Sequence, residues 1–183
     1  MGWRVRAATA ADGARVSEIR VLSWRHAYRD ILPGQPLADM RPEAGTARWA
    51  ETAEAPAPTG LFVAVGDDDR AMAFCLVGEA REEVDRHPEL ATGELWAIYA
   101  DPEVLGTGAG SAVHAAGLDH LADNGFQHAV LWVLEHNDIG LGFYRSHGWR
   151  PDGGRTNFDW GGTSVVEVRY ARSLGPTPVG GLG

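Results

Sequence analysis

The stretch Glu94–Ser111, E-L-W-A-I-Y-A-D-P-E-V-L-G-T-G-A-G-S, decides how the rest of the chain is read. Glu94 to Ala100 is apolar and aromatic, which predicts a strand. Asp101-Pro102 stops it, because proline cannot donate to a sheet ladder. Gly106, Gly108 and Gly110 then alternate, and a helical pattern runs from Ser111 to about Asn124. A strand, a glycine loop and a helix start in that order form a layout that holds a phosphate. Glycines let backbone N–H groups approach an anion, and the helix N-terminus adds unpaired donors and a positive dipole end. Two common phosphate readings fail. A nucleoside-triphosphate loop needs G-K-[ST], and the chain has no lysine. The dinucleotide fingerprint G-x-G-x-x-G needs glycine where Ser111 or Val113 stands.

Composition narrows the classes. A chain of 183 residues suits one domain. A net charge of −9 argues against nucleic acid, which requires a basic patch. The same field favours a cationic substrate. All sixteen basic residues are arginines, which excludes lysine Schiff-base or pyridoxal chemistry. The single cysteine, Cys75, sits in an apolar run and reads as a small buried hydrophobe. No apolar run approaches the ~20 residues of a membrane span, and the first residues lack the apolar core of a signal peptide, so the expected compartment is the cytoplasm. The histidines show no metal-ligand spacing, so no metal is expected.

Outward from the central stretch, Trp3 to Ala7 reads as a strand and Ala10 to Arg29 as a helix that opens on the box Thr9–Asp12. Leu37 to Glu51 is a weaker helical segment. Leu61 to Val65 and Ala71 to Val77 form a hairpin. Glu79 to Thr92, charged and carrying Pro88, reads as a solvated loop. His128 to Leu134 is an apolar strand, and the helix before it makes a β-α-β unit with two parallel strands. Ile139 to His147 is a short helix closed by Gly148. Pro151 to Arg155 reads as a turn, and Phe158 to Trp160 and Ser164 to Arg172 as the last strands. The tail from Gly175 to Gly183 is rich in Gly and Pro and is expected to be disordered.

This order resembles the GNAT superfamily of acetyl-CoA-dependent N-acetyltransferases, over nearly all of the chain apart from the tail. Two motifs carry the likeness. One is the family's [Q/R]-x-x-G-x-[G/A] loop, here Leu105-Gly106-Thr107-Gly108-Ala109-Gly110. The other is N-x-x-x-x-x-F-Y-x-x-x-G-[F/W], here Asn137 through Phe143-Tyr144 to Gly148-Trp149. Ser23 to Leu32-Pro33 also looks like the first helix and turn of members that act on small molecules. The resemblance implies an α/β (α+β) fold: a mixed, mostly antiparallel central sheet of about seven strands, flanked by about four helices, with one β-α-β unit carrying the cofactor loop. It implies a single domain over 1–174. Two departures from the family pattern involve three positions. Leu105 stands where Gln or Arg is usual, and Gly140 and Gly142 occupy a helix where larger residues are common, each costing that helix about 1 kcal/mol.

The resemblance also implies roles. The N–H groups of Gly106 to Ser111 would hold the pyrophosphate of coenzyme A, with Leu105 beside it. The backbone of Ile98, Tyr99 and Ala100 would pair with the pantetheine arm like an added strand, the Ile98 N–H serving as oxyanion donor. Tyr144 is the candidate general acid for the departing thiolate, its alternative being a core residue beside Phe143. Asn137 would cap the short helix, bond the pantetheine, or do both. Glu94 aligns with a general base in some members, its alternative being an exposed charge at a strand end; deprotonation relayed by water, or an amine that enters neutral, are further options. Trp24, Tyr28 and Trp132 would wall an acceptor pocket, or serve as core. The implied activity is acetyl transfer from acetyl-CoA to a primary amine of a small molecule. A protein or peptide acceptor, or a non-catalytic acyl-CoA module, are the other classes; homodimers are common in the family.

Overall fold

The structure, a computed structural model, describes residues 2–175. The expected disordered tail therefore lies outside the described residues except for Gly175. Seven strands form one sheet in the order β1-β2-β3-β4-β5-β7-β6. They are β1 (Arg4–Ala7), β2 (Gly60–Val65), β3 (Ala71–Glu79), β4 (Thr92–Ala100), β5 (His128–Leu134), β6 (Arg150–Trp160) and β7 (Thr163–Ser173). Only the β4–β5 pair is parallel, as a β-α-β unit requires. Five helices flank the sheet: α1 (Gly13–Ala27), α2 (Gly34–Asp39), α3 (Thr46–Ala53), α4 (Ala109–Asp123) and α5 (Asp138–Ser146).

The count is five rather than about four because the segment from Leu37 to Glu51 is not continuous. Pro42 lacks an N–H and disfavours a helical residue before it, so Met40 and Arg41 turn outward and α3 restarts after a short 3-10 turn. At the first helix, Asp12 accepts the Thr9 N–H at 2.8 Å and also pairs with Arg6, tying the helix start to β1.

Two apolar layers sandwich the sheet. α4 covers β3, β4 and β5 through Val113, Leu121, Cys75, Val77 and Leu131. α1 and α3 cover the opposite face over Phe74, Leu76 and Val63. Cys75 is fully buried, and burial pushes its thiol up, so it behaves as the small hydrophobe expected.

Two irregularities shape the cleft. β4 and β5 pair only at Thr92–Glu94 with His128–Val130, although both strands continue, so they splay apart from Leu95 and Leu131 onward. In β4 the register against β3 shifts: Leu76 faces Ala97 but Val77 faces Leu95, leaving Trp96 as a bulge. Two further expectations change here. Residues Pro151 to Arg155 lie within strand β6 at a register shift, with Gly153 at φ +92°, rather than in a free turn. The segment from Glu79 to Thr92 is not simply solvated, since Ala80 and Asp85 are buried and Trp132 Nε1 donates to Asp85 at 3.0 Å.

Candidate active site

The splay between β4 and β5 opens into a cavity of about 830 Å³, lined on one side by Glu94 to Ala100 and on the other by Trp132 to Leu134 and α5. At one end lies the glycine loop. Gly106 and Gly108 have φ of +77° and +93°, a backbone state that side chains disfavour, and Gly108 is the N-cap of α4. The N–H groups of Gly106, Gly108, Ala109, Gly110 and Ser111 donate to no group among the described residues. Such orphan donors at a helix start form an anion cradle. Packing braces the loop from behind. The Trp3 indole donates to the Thr107 carbonyl and hydroxyl, each at 3.2 Å, and Ser111 Oγ meets His147 Nε2 at 2.9 Å. Leu105 is 43% exposed beside the cradle.

α5 supplies the facing wall. Asn137 caps it, its Oδ1 accepting the Gly140 N–H at 3.0 Å. Gly140 is there for space: a Cβ at that position would stand 2.5 Å from the Asn137 amide nitrogen. One turn on, Tyr144 is 9% exposed and packs edge-on against Phe143 and Trp149. Its hydroxyl has no partner among the described residues and borders the cavity. Burial, with a smaller contribution from Tyr99, pushes the Tyr144 phenol well above its ordinary value, so it is a protonated donor at neutral pH.

Beyond Tyr144 the cavity turns aromatic. Trp24 packs on Tyr28 at 5.1 Å, on Tyr99 at 6.3 Å and on Trp160 at 5.0 Å, the last contact joining α1 to the end of β6. Trp132 forms another wall, with the Arg169 guanidinium over its ring at 5.6 Å. Burial also pushes the Tyr28 and Tyr99 phenols up.

Glu94 is not an exposed strand-end charge. It is 1% exposed, and Arg81 grips it through its backbone N–H, Nε and Nη2. A second carboxylate, Glu167 on β7, also borders the cavity. Burial, reinforced by Glu94 and opposed by Arg81, raises its pKa.

The structure brings nearly all the sequence-predicted site residues to this one cavity. Thr107 and Ala109 are the exceptions: Thr107 is engaged by Trp3, and the Ala109 methyl is in the core. Tyr99 borders the cavity from the α1 side, against Trp24 and Phe74. Sequence reading missed Glu167, Arg81, Arg155 and Phe158. The alternation Val165-Val166-Glu167-Val168-Arg169 did mark a face bearing charge, but nothing in it located that face. Among the described residues no cluster of His, Cys, Asp and Glu is suited to a metal ion.

A seven-stranded sheet splayed at its one parallel pair, with a glycine-loop helix beneath, is the architecture of N-acetyltransferases. The chain superposes on PaiA N-acetyltransferase from Thermoplasma acidophilum in complex with coenzyme A at a TM-score of 0.72, 16% identity, covering 94% of this chain and 99% of that one. It superposes on a phosphinothricin acetyltransferase from Sinorhizobium meliloti in complex with acetyl-CoA at a TM-score of 0.69 and 18% identity, covering 98% of this chain and 95% of that one. In sequence, the Acetyltransferase (GNAT) family pattern matches residues 21–149. The uncharacterized N-acetyltransferase YuaI of Bacillus subtilis (strain 168) is 30% identical over 90% of this chain and 89% of its own length. The mycothiol acetyltransferase of Kocuria rhizophila is 35% identical over 71% of this chain; the match spans 43% of that longer relative. The chain belongs to the GNAT acetyltransferase family. It is an N-acetyltransferase by that membership.

Proposed function

We propose that the protein transfers an acetyl group from acetyl-CoA to the primary amine of a small molecule by direct attack, with Tyr144 as general acid. The observation that carries this reading is the continuity of the cleft. It runs from the orphan N–H groups of Gly106, Gly108, Ala109, Gly110 and Ser111, past the end of β4 that has no β5 partner, to Tyr144 and then to an aromatic pocket.

The residues present fit coenzyme A. Gly106 to Ser111 would receive its pyrophosphate, with Leu105 alongside. The β4 segment Ile98–Ala100, left without a β5 partner, would pair with the pantetheine, and Asn137 would add its amide N–H₂, which donates to no described residue. Bound there, acetyl-CoA supplies an activated thioester. The protein's own contributions follow from its geometry. The Ile98 N–H would receive the developing oxyanion. Tyr144 would donate its proton to the leaving sulfur, whose unperturbed thiol pKa is about 8.5. Trp24, Tyr28 and Trp132 would exclude water around the acceptor. Glu94, whose charge Arg81 neutralises, would fix the electrostatics of the strand that borders the acceptor, or take its proton.

A small acceptor is favoured over a peptide because Trp24 and Trp160 meet at 5.0 Å and close that end of the cleft between α1 and β6. The relatives named for mycothiol and phosphinothricin agree with a small-molecule acceptor. With no helix among the described residues long and apolar enough to cross a membrane, a cytoplasmic enzyme is the proposed setting. The test is thiol release from acetyl-CoA with a panel of amines, with the acetylated product identified by mass spectrometry. Tight coenzyme A binding without turnover on any amine would instead indicate an acyl-CoA-binding module.

A further inference from the structure

The acceptor end of the cleft holds a half-buried carboxylate, Glu167, that no arginine of the cavity wall pairs with. The arginines that border the cavity are already engaged: Arg81 with Glu94, Arg169 with Asp85 and Asp152 at 2.8 Å each, and Arg155 with Glu135. Glu167 has neither an ion pair nor a hydrogen bond among the described residues, and it is half-buried. Its position is fixed by the sheet. On β7 it stands inside the β6 ladder opposite Thr156, and opposite Leu134, the last paired residue of β5, where the cleft opens. It lies near enough to Tyr28 and Tyr99, the aromatic floor of the pocket, to act on their ionisation.

A half-buried carboxylate without an ion pair pays part of the desolvation cost of its charge, which a ligand can offset. The group that completes it is a cation, and the surrounding aromatic faces are compatible with one. We propose that Glu167 binds the ammonium group of the acceptor and takes its proton, so that the site selects a cationic amine that carries no carboxylate beside it. The inference rests on the acetyltransferase reading and extends it to the acceptor's chemistry. Burial of Glu167 raises its basicity toward what an ammonium group requires, which supports the assignment. An anionic acceptor would place a second negative charge beside Glu167, where the arginines of the cavity wall, Arg81, Arg155 and Arg169, are already paired.

The protons balance. Glu167 takes one proton from R–NH₃⁺ and later returns it to solvent. The freed lone pair forms the C–N bond as the C–S bond breaks. Tyr144 gives its phenol proton to the sulfur and regains one from the attacking nitrogen. The products are the amide, the free thiol and one proton.

Two probe pairs test the idea: 2-phenylethylamine against phenylalanine, and 1,4-diaminobutane against ornithine. Within each pair the second molecule adds a carboxylate beside an amine. For the wild type, kcat/KM should favour the amine in each pair by about tenfold or more. Glu167→Gln should lower kcat/KM for the preferred amine by about 100-fold, and Glu167→Asp should restore part of it. Calorimetry without acetyl-CoA should show the preferred amine bound about tenfold more weakly by Glu167→Gln, with coenzyme A affinity unchanged, which reports an intact fold. Equal or better use of the carboxylate-bearing partner by the wild type would overturn the inference without recourse to any variant. So would Glu167→Gln turnover and amine binding within about twofold of wild type. In both cases the acetyltransferase reading survives. Absence of wild-type turnover on every amine would overturn both.

Discussion

Replacing Arg81 by alanine strips the main partner from a carboxylate that is 1% exposed and borders the acceptor pocket. Glu94 would keep only the residue-81 backbone N–H, at 3.1 Å, and lose the guanidinium contacts through Nε and Nη2. Breaking a fully buried ion pair costs about 3–5 kcal/mol, because the remaining charge is uncompensated. The Arg81 side chain is 58% exposed, so water can replace part of the guanidinium, and the expected loss is about 2 kcal/mol. With a urea m-value of about 2 kcal/mol/M, the unfolding midpoint should fall by about 1 M. The control is Glu94→Gln, alone and combined with Arg81→Ala. Once the buried charge is gone, losing the guanidinium should matter little, so the double variant should be more stable than the sum of the single losses by about 1 kcal/mol. A midpoint for Arg81→Ala within about 0.2 M of wild type, or strict additivity in the cycle, would refute the account of Glu94 as a carboxylate held by its partner.

Leu105→Arg puts back the polar type that the loop pattern usually has, beside the orphan N–H groups. Calorimetry should show coenzyme A binding about fivefold tighter, a gain that fades as salt screens the exposed charge, whereas unchanged or weaker binding would contradict the phosphate cradle. His114 tests pH linkage. It lies on the buried face of α4, where its Nε2 accepts the Trp149 indole at 2.9 Å. Burial, with smaller contributions from His147 and Arg172, pulls its pKa down to about 3. The folded protein keeps this ring neutral while the unfolded chain protonates it below about 6.5. Stability from this site is therefore full above that pH and is lost progressively as pH falls toward 3, by about 2 kcal/mol at pH 5. His114→Gln keeps an acceptor for Trp149 but does not protonate in this range. Its unfolding midpoint should decline less steeply with acid, and parallel declines for the two proteins would exclude the assignment.

The parts of this fold that were legible in the sequence share a local cause. Glycine spacing at Gly106 and Gly108 reports a positive-φ loop, and Asn137, Phe143-Tyr144 and Gly148 lie close together along one short helix. Strand periodicity placed β4 and β5, and the helix between them required the parallel pair. What stayed hidden is set by distant partners. The segment from Glu79 to Thr92 looks solvated because its charges are many, yet Arg81 meets Glu94 and Asp85 meets Arg169 across the sheet. Glu167 sits in an ordinary alternating strand, and its lack of an ion pair emerges only once the arginines of the cavity wall are seen to be engaged elsewhere. Pro42 splits the helical pattern around it because it lacks an N–H and disfavours a helical residue before it, an effect stronger than the apolar spacing of the segment. The β6 register shift at Gly153 has the composition of a turn, and only pairing with β7 distinguishes the two.

Tyr144 is the proposed proton donor for acetyl transfer in this cleft. The most direct measurement is thiol release and amide formation by Tyr144→Phe against wild type, with the best amine and saturating acetyl-CoA. Loss of the hydroxyl should lower kcat by about 10²–10³ while leaving coenzyme A affinity and the unfolding midpoint near wild type. A Tyr144→Phe enzyme whose kcat is within about twofold of wild type would remove Tyr144 from the chemistry and contradict the account.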